Sequence, residues 1–232
     1  MRLSIIIPAY NEEKRILPTL VEYYDFFKRE LGDDFEMIIV PNNCKDKTFQ
    51  VAEKFAENKK QVSVLNLPFY TGKGKAVMEG FKIAEGDFIG FTDADNSTNP
   101  ENFFKLFRTI QNFDGVIASR RIKGAIVRPK RKPNQEISSY LFNKFTNFFF
   151  HFNFKDTQCG AKLFTKRTAF LLAKKYTETG WIFDVDLLNI CRKNKLRILE
   201  CSIKWSDSDN SHLKLSHQFI SPFQLLKLKF RG

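Results

Sequence analysis

The 232-residue sequence predicts an α/β fold: a doubly wound, mostly parallel sheet with helices on both faces. Two observations predict it. Short apolar, β-branched runs alternate with segments of helical periodicity through the first hundred residues, as in right-handed βαβ units. The apolar run FIGFT then ends in Asp93 and Asp95, like charges that serve no core. They suit the ligand-binding edge beyond the carboxyl ends of parallel strands.

Leu3 to Ile7, closed by Pro8, reads as the first buried strand. Ile16, Leu17, Leu20, Val21, Tyr24 and Phe27 recur at helical spacing and predict a helix packed through that stripe. FEMIIV (35–40) is a second strand, 46–58 a second helix and VSVLNL (62–67) a third strand. A helix over 73–85 ends at Gly86, DFIGFT (87–92) is a fourth strand, and GVIAS (115–119) reads as the run before a change of texture. Residues 120–132, RRIKGAIVRPKRK, are densely basic with Gly and Pro, and are expected to form a mobile loop. A phenylalanine-rich segment follows, then TQCGAKLF, a helix over 166–176, GWIFDVDLLNICRK, a strand near 197–205 and an amphipathic tail. With no repeat or low-complexity linker, 1–232 reads as one domain.

The formal charge of +12 points to an anionic partner: nucleic acid, a phosphorylated metabolite or an acidic lipid surface. Cys44, Cys159, Cys191 and Cys201 are scattered, without Cys-x-x-Cys or a His at zinc spacing, which argues against a metal knuckle and for a reducing, cytoplasmic location. The amino-terminal apolar run is too short for a signal peptide. No stretch approaches the roughly 18 apolar residues of a membrane span, so membrane contact is expected to be peripheral.

Asp93 and Asp95, two apart in an extended chain, project to one side and can face one cation. Oxygen ligands suit Mg²⁺ or Mn²⁺, and Mg²⁺ takes one or two carboxylates, completing its shell with water and substrate phosphates. The competing reading is a solvated turn in which Asn96, Ser97 and Asn99 start a helix at Pro100; the strand-end position favours the metal. FYTGKGKA (69–76) is not a Walker loop: Phe69 stands where its first glycine belongs, and Ala76 where Ser or Thr is required. Backbone amides at a glycine-rich helix start, beside Lys73 and Lys75, still suit an anion.

Together IIIPAYNEE (5–13), TGKGKA (71–76), the strand-terminal DAD (93–95) and ASR (118–120) resemble the inverting family-two glycosyltransferases with the GT-A fold. DTQCGAKLF (156–164), WIFDVDLL (181–188) and KWSDSDNSHLKL (204–215) narrow the resemblance to the dolichyl-phosphate glucosyltransferases, close relatives of the dolichyl-phosphate mannose synthases. It covers nearly the whole chain, and the combination is specific where each piece alone is not.

The resemblance implies a nucleotide-sugar-binding half, 1–119, and an acceptor-binding half, 120–232, and it implies roles. Pro8, Ala9, Tyr10 and Glu12 would border the base and ribose. Lys73 and Asp93 would face the donor, and Asp95 would bind the metal on its diphosphate. Arg120, Arg121, Arg128 and Arg131 would hold phosphate groups, while Asp156, Gln158 and Gly160 would line the acceptor and sugar side. Asp184 falls where relatives with hydroxyl acceptors place a catalytic carboxylate. The family's Asp-Asp-Gly-Ser is replaced by Pro41, Asn42, Asn43 and Cys44, which leaves Asn42 to hydrogen-bond a base or ribose without charge. The implied reaction is inverting transfer of a hexose, glucose from UDP-glucose, to a dolichyl or other polyprenyl phosphate. The alternatives are GDP-mannose as donor, or a non-catalytic nucleotide-sugar or anionic-lipid binding protein.

A phosphate acceptor has a second pKa near 6 and needs no base at neutral pH, so Asp184 reads as an orienting group. Nucleic acid is not expected as a partner, because RNA-reading surfaces interleave aromatics with basics and here the aromatics come afterwards. Leu141, Phe142, Phe145, Phe148, Phe149 and Phe152 form an apolar stripe with Asn143, Lys144 and Asn147 off it, either a core helix or an interfacial membrane helix. In the tail, Phe223, Leu226 and Phe230 share one side, as a second surface anchor or a docked segment.

Overall fold

The computed structural model describes residues 2–69, 71–129, 133–177, 180, 182–206, 225–226 and 228–229. Strand β1 (Leu3–Ala9) pairs in parallel with β2 (Phe35–Pro41) on one side and with β4 (Phe88–Phe91) on the other. Strand β3 (Val62–Val64) extends the sheet beyond β2. The crevice between β1 and β4 is where the strand order reverses, the usual ligand position in such sheets. Strand β7 (Lys162–Thr165) runs antiparallel between β4 and β5 (Gly115–Ser119), and β8 (Ile198–Ser202) closes the order β3-β2-β1-β4-β7-β5-β8.

Period-2 alternation divides the core. Leu3, Ile5 and Ile7 point to the layer holding α1 (Ile16–Leu31), α2 (Thr48–Ala56) and α4 (Pro100–Thr109). Ile6, Ile38 and Val40 point to the layer holding α3 (Gly72–Ile83), α6 (Lys166–Lys175) and α7 (Phe183–Lys193). Helix α3 lies close on β1 because Gly80 has no side chain: a Cβ there would stand 2.7 Å from Ile6 Cγ2. A third cluster of Phe150, Ile182, Val185, Leu225 and Leu228 joins helix α5 (Pro133–Phe150) to α7 and the tail.

The structure differs from the sequence reading in five places. The buried stripe of α1 is Ile16, Thr19, Leu20, Tyr23 and Phe27, while Leu17 and Val21 are exposed, because Thr19 and Tyr23 carry hydroxyls used beneath the sheet edge. Only Val62–Val64 of the third strand forms a ladder; beyond it Leu67 makes an isolated bridge to Asn42. The basic run is ordered in part: β6 (Ile126–Arg128) pairs in parallel with β9 (Lys204–Ser206). On α5 the polar residues Asn143 and Asn147 are not on an outer face. They hold the 154–157 segment through Phe154 O, Lys155 O and the amides of Phe154 and Thr157. In the tail Leu225 and Leu228 are buried and Leu226 is exposed; Phe223 and Phe230 lie outside the described residues.

Candidate active site at the carboxyl edge of the sheet

The ends of β1, β2, β4 and β5 open on one edge. Because β7 runs the other way, it brings its first residue there: Lys162 is in register with both Phe91 and Ile117. Segment 156–162 therefore reaches the edge from the start of a strand. Three turns at this edge use asparagines at positive φ, Asn11 (55°), Asn43 (52°) and Asn96 (59°), the residue that best tolerates that region after glycine.

The Asp93–Ala94–Asp95 turn is built from below by α1. Thr19 Oγ1 donates to Ala94 O at 2.9 Å, and the Tyr23 hydroxyl bridges Thr92 Oγ1 and Thr98 O on the two sides of the turn. Burial drives the Tyr23 phenol far above its usual range, so it stays a neutral donor. Asp95 Oδ1 accepts from the backbone N–H of Ser97 at 3.0 Å and from its hydroxyl at 2.6 Å, a closed Asx turn before Asn99 caps α4. Thr19 and Tyr23 escape a hydropathy reading because they are polar; their signal is an i, i+4 hydroxyl pair on a helix whose other buried positions are apolar.

Asp93 is held by Lys73 from the start of α3, Nζ to Oδ1 at 2.6 Å. Enclosure, with Asp95 and Asp184 nearby, pushes the Asp93 carboxyl above its ordinary value while Lys73 pulls it down. Enclosure also lowers the Lys73 ammonium, but Asp93, Asp184 and Asp95 outweigh it and leave it raised. Gly160 abuts the other face of Asp93: a Cβ there would stand 1.7 Å from Oδ2. Gly160, expected to line the acceptor and sugar side, is thus packed directly on Asp93, the carboxylate expected to face the donor.

Several predicted residues are engaged within the protein. Asn42, expected to reach a base or ribose, is 3% exposed. Its Nδ2 donates to Gly72 O, and its Oδ1 accepts from the N–H and hydroxyl of Thr71, so it pins the loop that starts α3. A carboxylate at this position would face the Gly72 carbonyl without a proton to offer it. Glu12 makes a double ion pair with Arg15, Nε to Oε2 at 2.7 Å and Nη2 to Oε1 at 2.8 Å. Arg120 grips Asp156 with Nε and Nη2 at 2.7 and 2.8 Å, beneath the ring of Trp205. Asp156 is buried and Arg120 largely so; burial opposes the Asp156 charge, yet Arg120 holds its carboxyl well below the usual carboxylate range. Glu200 on β8 fixes the same segment by accepting from the N–H groups of Lys155 and Asp156.

Pro8 and Ala9 end β1 and Tyr10 stands exposed beside them. Gln158 is partly exposed next to Asp156. Arg121 bonds Ser139 of α5 through Nη2 at 3.1 Å. Arg128 is exposed on β6 and lines, with Lys204, Asn99 and Trp205, a hollow beside the Asp95 turn. Ser206 N donates to Ser97 O, and Asn102 clasps Lys204 through both backbone groups, so β9 is joined to that turn. Arg131 lies outside the described residues, as do Trp181 and 207–215 of the KWSDSDNSHLKL motif. Asp184, in the first turn of α7, is bound by Lys162, Nζ to Oδ1 at 2.6 Å; the sequence reading did not single out Lys162.

Among the described residues no group of three or more His, Cys, Asp or Glu side chains gathers as a metal cage. An ion of the Mg²⁺ type takes one or two carboxylates and leaves its other positions to water and phosphate oxygens. The rigid turn carrying Asp95 suits such a ligand. No cysteine reads as a nucleophile: all four are free thiols, and burial pushes Cys159 to about 11 and Cys191 to about 12.

Comparison with known proteins gives this edge its relatives. The sequence pattern of glycosyl transferase family 2 matches residues 4–170. A dolichyl-phosphate beta-glucosyltransferase of Trichomonas vaginalis is 31% identical over 97% of this chain and 72% of its own. The dolichyl-phosphate beta-glucosyltransferase of Saccharomyces cerevisiae is 32% identical over 92% of this chain and 70% of its own. Among solved structures, glucosyl-3-phosphoglycerate synthase from Mycobacterium tuberculosis in complex with Mn²⁺, UDP and glucosyl-3-phosphoglycerate superposes with a TM-score of 0.69. It covers 98% of this chain and 76% of that one at 16% identity, a likeness of fold. The sheet order, the strand-end carboxylates and the match over most of the chain lead to one conclusion: the protein is a glycosyltransferase of the GT-A fold and belongs to glycosyl transferase family 2.

Proposed function

We propose that the protein transfers glucose from UDP-glucose to a dolichyl or other polyprenyl phosphate, with inversion, at the cytoplasmic face of a membrane. The observation that carries the reading is the similarity along nearly the whole chain to enzymes named dolichyl-phosphate beta-glucosyltransferases, which supports glucose as the sugar and dolichyl phosphate as the acceptor. In this reading 1–119 serves the donor: Pro8, Ala9 and Tyr10 border the nucleotide, and Lys73 and Asp93 face the sugar diphosphate. Asp95 holds Mg²⁺ or Mn²⁺ on that diphosphate, where the ion would offset the charge of the leaving group. The Mn²⁺ and UDP present together in the mycobacterial synthase support this choice.

The chemistry asks little of a base. A phosphomonoester oxygen, already ionised near neutral pH, attacks the anomeric carbon as the bond to the UDP oxygen breaks, so no proton must be removed. What must be overcome is repulsion between two phosphates. In this reading Arg121 and Arg128, with Lys204, would offset it; Arg128 and Lys204 line the hollow beside the Asp95 turn. Arg120 serves by shaping the acceptor wall with Asp156 rather than by standing open to phosphate.

Peripheral membrane contact is assigned to α5, whose Ile137, Tyr140, Leu141, Phe145 and Phe148 are exposed together, Phe148 to 82%. Among the described residues no helix is long and apolar enough to cross a membrane. The net charge of +12 adds attraction to anionic lipid.

The test is incubation of purified protein and Mn²⁺ or Mg²⁺ with a short polyprenyl phosphate and, separately, UDP-glucose, UDP-galactose, UDP-N-acetylglucosamine and GDP-mannose. Lipid-linked sugar is followed by mass spectrometry. Product from UDP-glucose alone is expected. Product from GDP-mannose alone would move the reading to a mannosyl donor, and nucleotide binding without product from any donor would make the chain a binding protein.

A further inference from the structure

Lys162 is the one lysine among the described residues whose side chain is wholly buried. A buried ammonium without partners is strongly disfavoured, so its surroundings state its purpose. Its Nζ donates to Asp184 Oδ1 at 2.6 Å and to the Cys159 carbonyl at 2.7 Å, and lies 5.7 Å from the centre of the Phe91 ring. Each contact leads to the site. Asp184 starts α7, Cys159 precedes the glycine packed against Asp93, and Phe91 ends the strand that delivers Asp93. Lys73 sits 5.6 Å from the same Phe91 ring and binds Asp93. Two lysines thus meet one aromatic ring, each holding one of the two inner carboxylates.

We propose that Lys162 is a positioning residue of the transfer reaction. By clamping Asp184 to the Cys159–Gly160 turn it fixes the acceptor-side wall against Asp93, and it makes Asp184 an orienting charge rather than a base. Asp184 Oδ1 is committed to the ammonium, which fixes the direction of the carboxylate. A wall built this way favours acceptors whose nucleophilic oxygen arrives already ionised and disfavours neutral hydroxyls. This rests on the phosphate-acceptor reading above, and it adds a residue through which the acceptor class is selected.

The test is a double-mutant cycle of Lys162→Met, Asp184→Asn and the pair, assayed with UDP-glucose and polyprenyl phosphate. If Lys162 works through Asp184, the two changes are non-additive. Lys162→Met alone leaves a buried, unpaired carboxylate and lowers kcat about 100-fold, as expected for a displaced site wall, while the Kd for UDP stays within about threefold. In the Asp184→Asn background the same change costs no more than about threefold in kcat. Should Lys162→Met fail to fold, the Asp184→Asn and double variants still decide, since neither contains an unpaired carboxylate. Equal losses in both backgrounds would overturn the proposal. So would an Asp184→Asn enzyme that binds UDP normally yet loses turnover about 1,000-fold or more, the mark of a lost base. If the unmodified chain makes no lipid-linked sugar from any donor, the proposed function falls by itself. The coupling is then read in the melting temperatures of the same variants, where additivity would sink it separately.

Discussion

Gly160 and Asp93 touch so closely that no other residue fits between them: a Cβ on Gly160 would lie 1.7 Å from Asp93 Oδ2 and 2.5 Å from its Cγ. The 156–162 segment and the Asp93 carboxylate are in effect one packed unit.

Gly160→Ala is accordingly expected to turn Asp93 off Lys73 and lower kcat about 100-fold, the scale of an ångström-sized misplacement. Overpacking would cost about 1–3 kcal/mol in stability. Steady-state kinetics beside a urea melt check this; turnover at the unmodified level would show that Asp93 need not stand where the structure has it.

Asp95→Ala is expected to abolish metal-dependent turnover, because the turn loses its carboxylate and the Ser97 contacts that shape it. A Mn²⁺ titration of the rate makes the check. Full activity in that variant removes Asp95 from the mechanism.

Tyr23→Phe leaves the buried Thr98 carbonyl without its hydroxyl donor and is expected to cost about 1–3 kcal/mol. Because Tyr23 also spans the Asp93–Asp95 turn, activity should fall with stability. An unchanged urea midpoint would mean that water takes over the bond.

The Arg120–Asp156 pair predicts a pH dependence. The Asp156 carboxyl is depressed in the folded protein, so its stabilisation is complete above the unfolded value of about 3.9 and is lost as pH falls below that. Asp156→Asn strands a buried guanidinium and is expected to cost about 3–5 kcal/mol near neutral pH. The gap between the two proteins should narrow as pH drops below about 4. Urea denaturation at several pH values decides it, and a constant gap would contradict the assignment.

Phe148→Asp changes a side chain that is 82% exposed, so folding should be unaffected. Partition onto vesicles containing anionic lipid should weaken at least about tenfold, as for losing one buried aromatic anchor. Equal vesicle binding by the two proteins would remove α5 from the membrane face.

Much of the architecture was legible because strand and helix periods differ: β1, β2 and β4, and the helices between them, were read from the alternation of apolar runs and helical spacing. Strands β6 and β9 were not, since three residues inside a basic run carry too little pattern, and their pairing depends on each other across the chain. The same logic hid the polar scaffolding. Asn143, Asn147, Thr19 and Tyr23 looked like surface or off-stripe positions, yet irregular segments at the edge need donors and acceptors that regular structure cannot supply. Asp93 and Asp95 stood out because like charges at a strand end have no packing role. Lys162 did not, because a lysine opening an apolar strand looks like any solvated strand end, and only the fold reveals the carboxylate waiting for it.

The reversed strand β7 has a consequence for how the chain comes into being. During synthesis, β4 and β5 emerge from the ribosome well before the strand that must lie between them, so the nascent sheet waits with a gap at its middle until residue 165 is exposed. A protein cut after residue 119 would keep β1 to β5, yet would leave β4 with an unpaired edge open to aggregation. Residues 1–119 and 120–232 are therefore built into a single piece of masonry, and neither is expected to be separable as a stable fragment.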